Sequence, residues 1–360
     1  MKILHVITSL RMGGAEKLIV DSVPLYHEKG LDVDVLLFDG SNTPFKSELE
    51  SKGVNVYSLS SGRSVYNPSF IIKLLPYLSR YDIVHTHNTA PQLFAAIASV
   101  WRPALLCTTE HNTSNRRRSM KWYYPIDKWM YSRYKEVISI SESTTKHLKE
   151  YVEIKCPVRT IPNGINVSHY AEATALKKQA LGCQEDSFLL MMVAGFRHQK
   201  DQDTIIHAMK FLSSRVRLCL VGDGERISEC KKLAINYGVA DRVIFTGRRT
   251  DVANLLKTAD VVVMSSHYEG FGLAAVEGMA AGKPVVASDV PGLGDIVRGY
   301  GILFSPGNPY DLTKCVNDLM TDRNFYNYVA SKCMKRAKEY DIHKMVDGYI
   351  QVYRTMIGLF

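Results

Sequence analysis

Two carboxylates, Glu269 and Glu277, frame the chemically richest stretch of this sequence, Ser265-Ser-His-Tyr-Glu269-Gly-Phe-Gly272-Leu-Ala-Ala-Val-Glu277-Gly-Met-Ala-Ala-Gly282-Lys-Pro284. The apolar run at 261–265 predicts a strand, and the pattern from Leu273 predicts a helix. Gly270 and Gly272 allow a tight turn and let the backbone approach a ligand. A helix start offers unpaired N–H groups and the positive end of the helix dipole, so an anion such as a diphosphate fits there. Glu269 precedes the helix and Glu277 sits about a turn inside it, so the two acids reach different ends of one ligand. A lone Glu-Gly-x-Gly is equally a surface turn before a capped helix. The second glutamate, Gly282 and a further strand from Pro284 make the full string more specific.

Other groups suit an anionic or hydroxylated ligand. His111 follows an apparent strand end, and Gly13-Gly14 joins the first strand to the first helix. Either can serve structure alone, as a hydrogen-bonded histidine or a tight turn. His87 is a weaker acceptor-side candidate, and His85 reads as packed in the sheet. Between 111 and 135 there are seven Lys or Arg and one Asp, interleaved with Trp and Tyr. Such a cluster, centred on 116–124, suits an anionic membrane surface or a lipid-diphosphate acceptor, though a solvated charged face explains it as well. No Asp-x-Asp sits in a strand-end loop, and the eleven His show no paired ligand spacing near acids, so no metal site is expected.

Elements of α/β type must position these groups. Strands are predicted at 3–8, 33–38, 54–59, 83–86, 105–109 and 137–140, with helices at 15–28, 68–79, 91–100 and 119–134 between them. The alternation restarts with strands at 188–194, 216–221, 243–246, 261–265 and 284–288, and helices at 204–212, 226–237, 252–257 and 273–281. Nearly continuous apolar strands alternating with helices imply parallel, doubly wound sheets. The Pro- and Gly-bearing segment 157–165 marks the break between two similar halves, and the tail beyond about 309 reads as consecutive helices. We therefore expect domains 1–165 and 166–340, with a final helix at about 341–360 returning to the first.

The 360 residues carry 46% hydrophobic and 22% charged side chains, which excludes fibrous, low-complexity and wholly disordered classes. The net charge of +9 favours anionic partners. Seven scattered cysteines without a CxxC pair read as reduced thiols. No apolar run reaches the roughly 18–20 residues that cross a bilayer. A cytoplasmic protein is expected, at most peripheral on the inner face of the membrane.

The ordered set of motifs resembles the retaining EX7E glycosyltransferases of family 4 (glycosyl transferases group 1), with the GT-B fold. Beside the Glu269–Glu277 string the likeness rests on Gly13-Gly14-Ala15-Glu16, Asp82-Ile-Val-His85-Thr-His87-Asn, Thr109-Glu-His111-Asn, Ile161-Pro-Asn-Gly-Ile165, Gln199-Lys200-Asp201, Val221-Gly-Asp-Gly224, Phe245-Thr-Gly247 and Val285-Val-Ala-Ser-Asp-Val-Pro-Gly292. It covers essentially the whole chain. It implies two Rossmann-like lobes facing a central cleft. It also implies that Glu277 binds the ribose of a sugar nucleotide, that Glu269 holds the transferring sugar, and that backbone at Gly270, Phe271, Gly272 and Leu273 meets the phosphates. By the same likeness Lys200 meets the diphosphate, His111 the donor sugar, and Gly14 the donor or acceptor. Many relatives carry an arginine at the position of Gly195; here Arg197 is expected to reach the same phosphate. Asn166 is a second departure, where Asp is common.

The expected activity is retaining transfer of a hexose-type sugar from a nucleotide diphosphate sugar, a UDP-sugar in first place, without a metal or other cofactor. The acceptor would be a glycan or lipid-linked saccharide in polysaccharide or lipopolysaccharide assembly. A sugar-nucleotide epimerase or a phosphorylase on the same fold remains open. So does a non-enzymatic module for nucleotide or nucleic acid, although a nucleic-acid partner is not expected. A nicotinamide-linked oxidoreductase is disfavoured, because the first glycines do not form GxGxxG.

Overall fold

The computed structural model describes every residue except Met12, Arg63, Ser64, Ser114, Asn115, Arg116, Ser119 and Phe360, and gives Lys121 as backbone only. In chain order the elements begin β1 (Lys2–Ile7), α1 (Gly14–Glu28), β2 (Asp32–Leu37), α2 (Pro44–Ser51), β3 (Val56–Ser58), α3 (Ser69–Leu78), β4 (Ile83–His87), α4 (Thr89–Ala98), β5 (Leu105–Glu110), α5 (Tyr124–Ser132), β6 (Glu136–Ser139), α6 (Glu142–Tyr151) and β7 (Val158–Thr160). They continue α7 (Val167–Ala171), β8 (Phe188–Val193), α8 (Gln202–Ala208), β9 (Val216–Val221), α9 (Ile227–Asn236), β10 (Val243–Gly247), α10 (Val252–Thr258), β11 (Val261–Met264), α11 (Leu273–Ala280), β12 (Val285–Ser288), α12 (Leu293–Val297), β13 (Ile302–Phe304), α13 (Pro309–Thr321), α14 (Arg323–Ala337) and α15 (Ile342–Met356).

The chain divides into two compact units, Met1–Gly164 with Ile342–Phe360, and Ile165–Asp341. In the first, seven parallel strands run in the order β3-β2-β1-β4-β5-β6-β7. Every residue of β4 is buried, as a strand covered on both faces requires. Register places His5 of β1 opposite His85 of β4. In α15 the buried residues Ile342, Met345, Val346, Tyr349, Ile350, Val352, Tyr353 and Met356 recur every three or four positions, a single apolar stripe that packs on α1.

The second unit holds six parallel strands in the order β10-β9-β8-β11-β12-β13. The chain winds outward from β8 to β10, then returns to β11 beside β8 and winds the other way. This reversal between β8 and β11 is the topological switch point, the place where open α/β sheets receive ligands. Helix α11 lies close against β11: a Cβ on Gly278 would stand 2.9 Å from the Val262 side chain.

The alternation read from sequence is present, with informative differences. β7 falls inside the segment read as a break, and β13 was not expected. Both are three-residue edge strands, too short to show a period. Helices α2 and α6 were also missed. Their cap signals are visible, Thr43 accepting from Lys46 N–H at 3.2 Å and Ser141 from Thr144 N–H at 3.1 Å, but few of their residues are buried. The helix expected at 119–134 is a short 3₁₀ turn, Lys121–Tyr123, followed by α5; Ser119 lies outside the described residues.

Candidate active site

At the carboxyl edge of the second sheet, two loops meet at the switch point. The loop after β8 carries Arg197 and Lys200; the loop after β11 carries Glu269 and leads into α11. Lys200 Nζ donates to Glu269 Oε2, and the two side chains are only 21% and 12% exposed, so the pair is shielded from solvent. Ser266 Oγ donates to the same carboxylate oxygen at 3.4 Å. The loops are zipped by backbone as well: His267 N–H donates to Gln199 O at 2.9 Å, and Gln199 Nε2 to Tyr268 O at 3.0 Å. Ser265 Oγ donates to Asp201 O at 2.7 Å. Asp201 holds an αL backbone (φ +49°) while its carboxylate caps α8, accepting from Thr204 Oγ1 at 2.6 Å. Burial pushes that carboxyl up, and the Thr204 bonds and His267 oppose the shift. This scaffold fixes Lys200 against Glu269 before any ligand arrives.

Helix α11 begins at Leu273 with Gly272 as N-cap, a residue that supplies no side-chain cap. Gly272 has φ +102°, and a Cβ there would lie 2.7 Å from Leu293 Cδ1. Gly292, with φ +81°, crosses so closely that a Cβ would stand 2.5 Å from Glu269 O and 2.8 Å from Gly270 O. Only glycine permits both the dihedral and the contact. Phe271 is buried and meets Tyr340 edge-on at 5.3 Å, anchoring the turn. Glu277 lies half-buried on α11. Arg197 is exposed and makes no ion pair among the described residues. Its Nε would lie 3.9 Å from a Cβ placed on Gly195, so its guanidine base stands over the space that a side chain at 195 would enter.

The structure places Glu269, Lys200, Arg197, Gly270, Phe271, Gly272, Leu273 and Glu277 on two adjoining loops and one helix. The sequence reading missed the supporting residues Ser265, Ser266 and Asp201. Asp201 carried a visible signal, an Asp directly before a helical run.

The first unit gathers its own polar set at the carboxyl edge, where Gly14 opens α1 and His111 follows β5. His111 Nε2 meets His87 Nδ1 at 3.0 Å, and His87 Nε2 meets His5 Nδ1 at 2.9 Å. His5 Nε2 lies 3.4 Å from Tyr353 Oη, which reaches His85 Nδ1 at 2.5 Å; His85 Nε2 meets Thr109 Oγ1 at 2.8 Å. Burial pushes His5 down to about 3 and His111 down to about 4, and holds His85 and His87 well below the usual imidazole range. His85 is packed in the sheet, as expected. His5 was never singled out, because only the β1–β4 register shows that it joins the i, i+2 pair on β4. Ring nitrogens of His5, His85 and His87 lie within 4.8 Å of one another, near enough to share a metal ion, a constellation the sequence spacing did not show. Those nitrogens already bond to one another and to hydroxyls, so an ion would have to displace these bonds.

The basic cluster needs correction. Arg116 lies outside the described residues. Arg117 and Arg118 are not a surface patch: their side chains are 4% and 5% exposed and turn inward. Arg118 Nη2 donates to Glu110 Oε2 at 2.8 Å. Arg117 Nε lies 3.0 Å from Asp127 Oδ1 outside hydrogen-bond geometry, a Coulombic contact, while its Nη2 donates to Gln92 Oε1 at 2.9 Å. Burial alone would raise the Glu110 carboxyl, but Arg118, Tyr131 and Gln92 together hold it below its usual range. Acids at 110 and 127 drew both guanidinium groups into the core, something local composition does not reveal. What stays at the surface is the aromatic Trp122, Tyr124 and Trp129 together with the basic Lys128, Arg133 and Lys135.

Two doubly wound parallel units of this kind define the GT-B class of glycosyltransferases. The chain belongs to glycosyltransferase family 4: residues 12–169 match the family model described as Glycosyltransferase Family 4, and residues 174–339 the one described as Glycosyl transferases group 1. It is 28% identical to an uncharacterised glycosyltransferase of Methanocaldococcus jannaschii, over 92% of this chain and 91% of that protein. It is 25% identical to the UDP-Gal:alpha-D-GlcNAc-diphosphoundecaprenol alpha-1,3-galactosyltransferase of Escherichia coli, over 99% and 97%. Among solved structures, Anabaena HepE in complex with UDP-glucose superposes with a TM-score of 0.88 at 24% identity, covering 99% of this chain and all of that one.

Proposed function

We propose that this glycosyltransferase moves a hexose-type sugar from a UDP-sugar, with retention of anomeric configuration, to a hydroxyl of a glycan or lipid-linked saccharide in polysaccharide or lipopolysaccharide assembly. The observation that carries the reading is the Lys200–Glu269 pair beside the start of α11 at the β8/β11 switch point. The UDP-sugar is supported by the donor named for the Escherichia coli relative and by the UDP-glucose bound to HepE.

In this reading the diphosphate lies on the N–H groups of Phe271, Gly272 and Leu273, with Lys200 and Arg197 supplying positive charge to the leaving group. Glu277 holds the ribose hydroxyls, Glu269 the transferring sugar, and His111 a sugar hydroxyl. The acceptor attacks the face from which the diphosphate departs. A phosphate oxygen takes the acceptor proton, so that the C–O bond to the diphosphate breaks as the new glycosidic bond forms on the same side. The helix start and the two cations carry the charge released, and the reading assigns no step to a metal.

A thermal-shift panel of UDP-, GDP- and ADP-sugars tests the donor, since a ligand bound to the folded state raises apparent stability by mass action. UDP-sugars are expected to give the largest shift, and Glu277→Ala to shrink it; an unchanged donor affinity in that variant removes Glu277 from the ribose. Product anomers read by NMR are expected to match the donor, and inverted product would overturn retention.

In this proposal the peripheral membrane contact uses Trp122, Tyr124 and Trp129 rather than Arg117 and Arg118. Among the described residues no helix is long and apolar enough to cross a membrane. Co-flotation with anionic vesicles is expected, and is expected to fall in Trp122→Ala/Trp129→Ala; equal flotation of both proteins sinks this contact.

A further inference from the structure

Five residues on two strands, a strand-end loop and the C-terminal helix form one continuous hydrogen-bonded chain: His111, His87, His5, Tyr353 and His85. Every link joins two nitrogens or a nitrogen and a hydroxyl, and each imidazole inside the chain uses both of its ring nitrogens. A neutral imidazole has one N–H and one lone pair, so it must donate on one side and accept on the other. The direction of one link therefore fixes the direction of the next. Among His5, His87 and His111 the links admit two ordered states, and any mixture leaves a buried N–H against N–H or a lone pair against a lone pair; Tyr353 Oη, with one hydrogen and two lone pairs, can accept from both of its imidazole neighbours when its hydrogen goes elsewhere.

One link breaks the tie. Tyr353 Oη sits 2.5 Å from His85 Nδ1 but 3.4 Å from His5 Nε2. Tyr353 has a single hydrogen, and an imidazole nitrogen is a stronger acceptor than a phenol oxygen, so it goes to the short contact. Tyr26, whose hydroxyl bonds to that of Tyr353, is the alternative acceptor; with the hydrogen there, Tyr353 Oη still accepts from His5 Nε2–H and the order toward His111 is the same. His85 then donates from Nε2 to Thr109 Oγ1 at 2.8 Å. On the other side Tyr353 Oη accepts from His5 Nε2–H, His5 Nδ1 accepts from His87 Nε2–H, and His87 Nδ1 accepts from His111 Nε2–H. The lowered basicity of these imidazoles keeps the rings neutral, which the argument requires. Glu110, the acid beside His111 in the chain, is occupied by Arg118, Tyr131 and Gln92 and does not reverse the order.

We propose that Tyr353, through His5 and His87, is a positioning residue that fixes His111 as the Nε2–H tautomer, leaving Nδ1 bare to accept a hydrogen bond from a substrate hydroxyl. The inference rests on the proposed function only for what His111 touches; the tautomer itself is independent of the substrate. Without this device an isolated neutral imidazole would populate both tautomers, and its Nδ1–H form would present a donor where the substrate hydroxyl needs an acceptor.

The test is long-range ¹H–¹⁵N correlation NMR on the full-length protein labelled with ¹⁵N-histidine, with His111→Asn to assign the signal. In the wild type His111 is expected as the Nε2–H form; an Nδ1–H form overturns the proposal. Tyr353→Phe removes the hydroxyl without changing ring size, and His111 is expected to become a mixture of tautomers; an unmoved His111 signal in a folded Tyr353→Phe overturns the role of Tyr353. Thr109→Val supplies a second variant. Loss of the acceptor for His85 Nε2–H favours His85 Nδ1–H; with Tyr26→Phe added, the Tyr353 hydrogen is left with His5 as its acceptor, which drives His111 toward Nδ1–H. A His111 tautomer that stays put in folded Thr109→Val/Tyr26→Phe also counts against the relay.

Discussion

Lys200→Ala is expected to lower kcat/KM for the accepted donor roughly 10²–10³-fold, the range found when one preorganised group that stabilises developing charge is removed. Two effects act in the same direction. The cation that would face the departing diphosphate is gone. Glu269, only 12% exposed on its side chain, also loses the ammonium that offsets it, and a bare carboxylate beside the start of α11 repels the phosphates. Arg197→Ala is expected to cost less, because that guanidinium is exposed and held by no ion pair among the described residues. Lys200→Arg is expected to restore only part of the activity, since a planar fork does not reproduce a point contact on one carboxylate oxygen. Steady-state release of UDP from the accepted UDP-sugar reads all three variants. A Lys200→Ala enzyme with wild-type kcat/KM would remove the lysine from the chemistry.

The second large effect is on stability. The first unit is expected to lose at least about 4 kcal/mol per pH unit below about pH 6, from the three fully buried neutral imidazoles of His5, His85 and His87, with half-buried His111 adding its own proton uptake in the same direction. The sign follows from their direction of shift. An unfolded histidine titrates near 6.5, whereas burial lowers all three in the folded chain, His5 to about 3. As pH falls through the unfolded value, the unfolded chain binds protons that the folded chain refuses, and each such proton costs about 1.4 kcal/mol per pH unit. The contribution is complete above about pH 7 and drains away as pH falls from 6.5 toward the folded values. All three tryptophans, Trp101, Trp122 and Trp129, lie in the first unit, so their fluorescence follows the unfolding of that unit selectively. Urea midpoints between about pH 7 and about pH 5.5 give the proton uptake, and His85→Phe is expected to reduce it by one. An uptake near zero would mean that these imidazoles are not held neutral.

Both predictions turn on residues whose types are visible in the sequence but whose surroundings are not. Lys200 and Glu269 lie 69 positions apart. Each could be marked from its local motif, yet their direct pairing depends on β8 and β11 being neighbours although two strands lie between them in the chain. The same limit hid His5 from the set on β4 and turned Arg117 and Arg118 from an apparent surface patch into buried ion pairs. Where the reading succeeded, the information was local: apolar runs of strand length and the glycines that follow Glu269.

Periodicity and backbone-permissive residues act within a few positions of themselves, so the alternating β/α pattern, the parallel sheets and the loop-to-helix turn at 269–273 were legible from the order of residues alone. Charge pairing, burial of an arginine and the direction of a hydrogen-bond chain depend on what packs alongside from distant segments. Those were settled only once β1 lay against β4, β8 against β11, and α15 brought Tyr353 to the imidazoles, because electrostatics and hydrogen bonding act through space rather than along the chain.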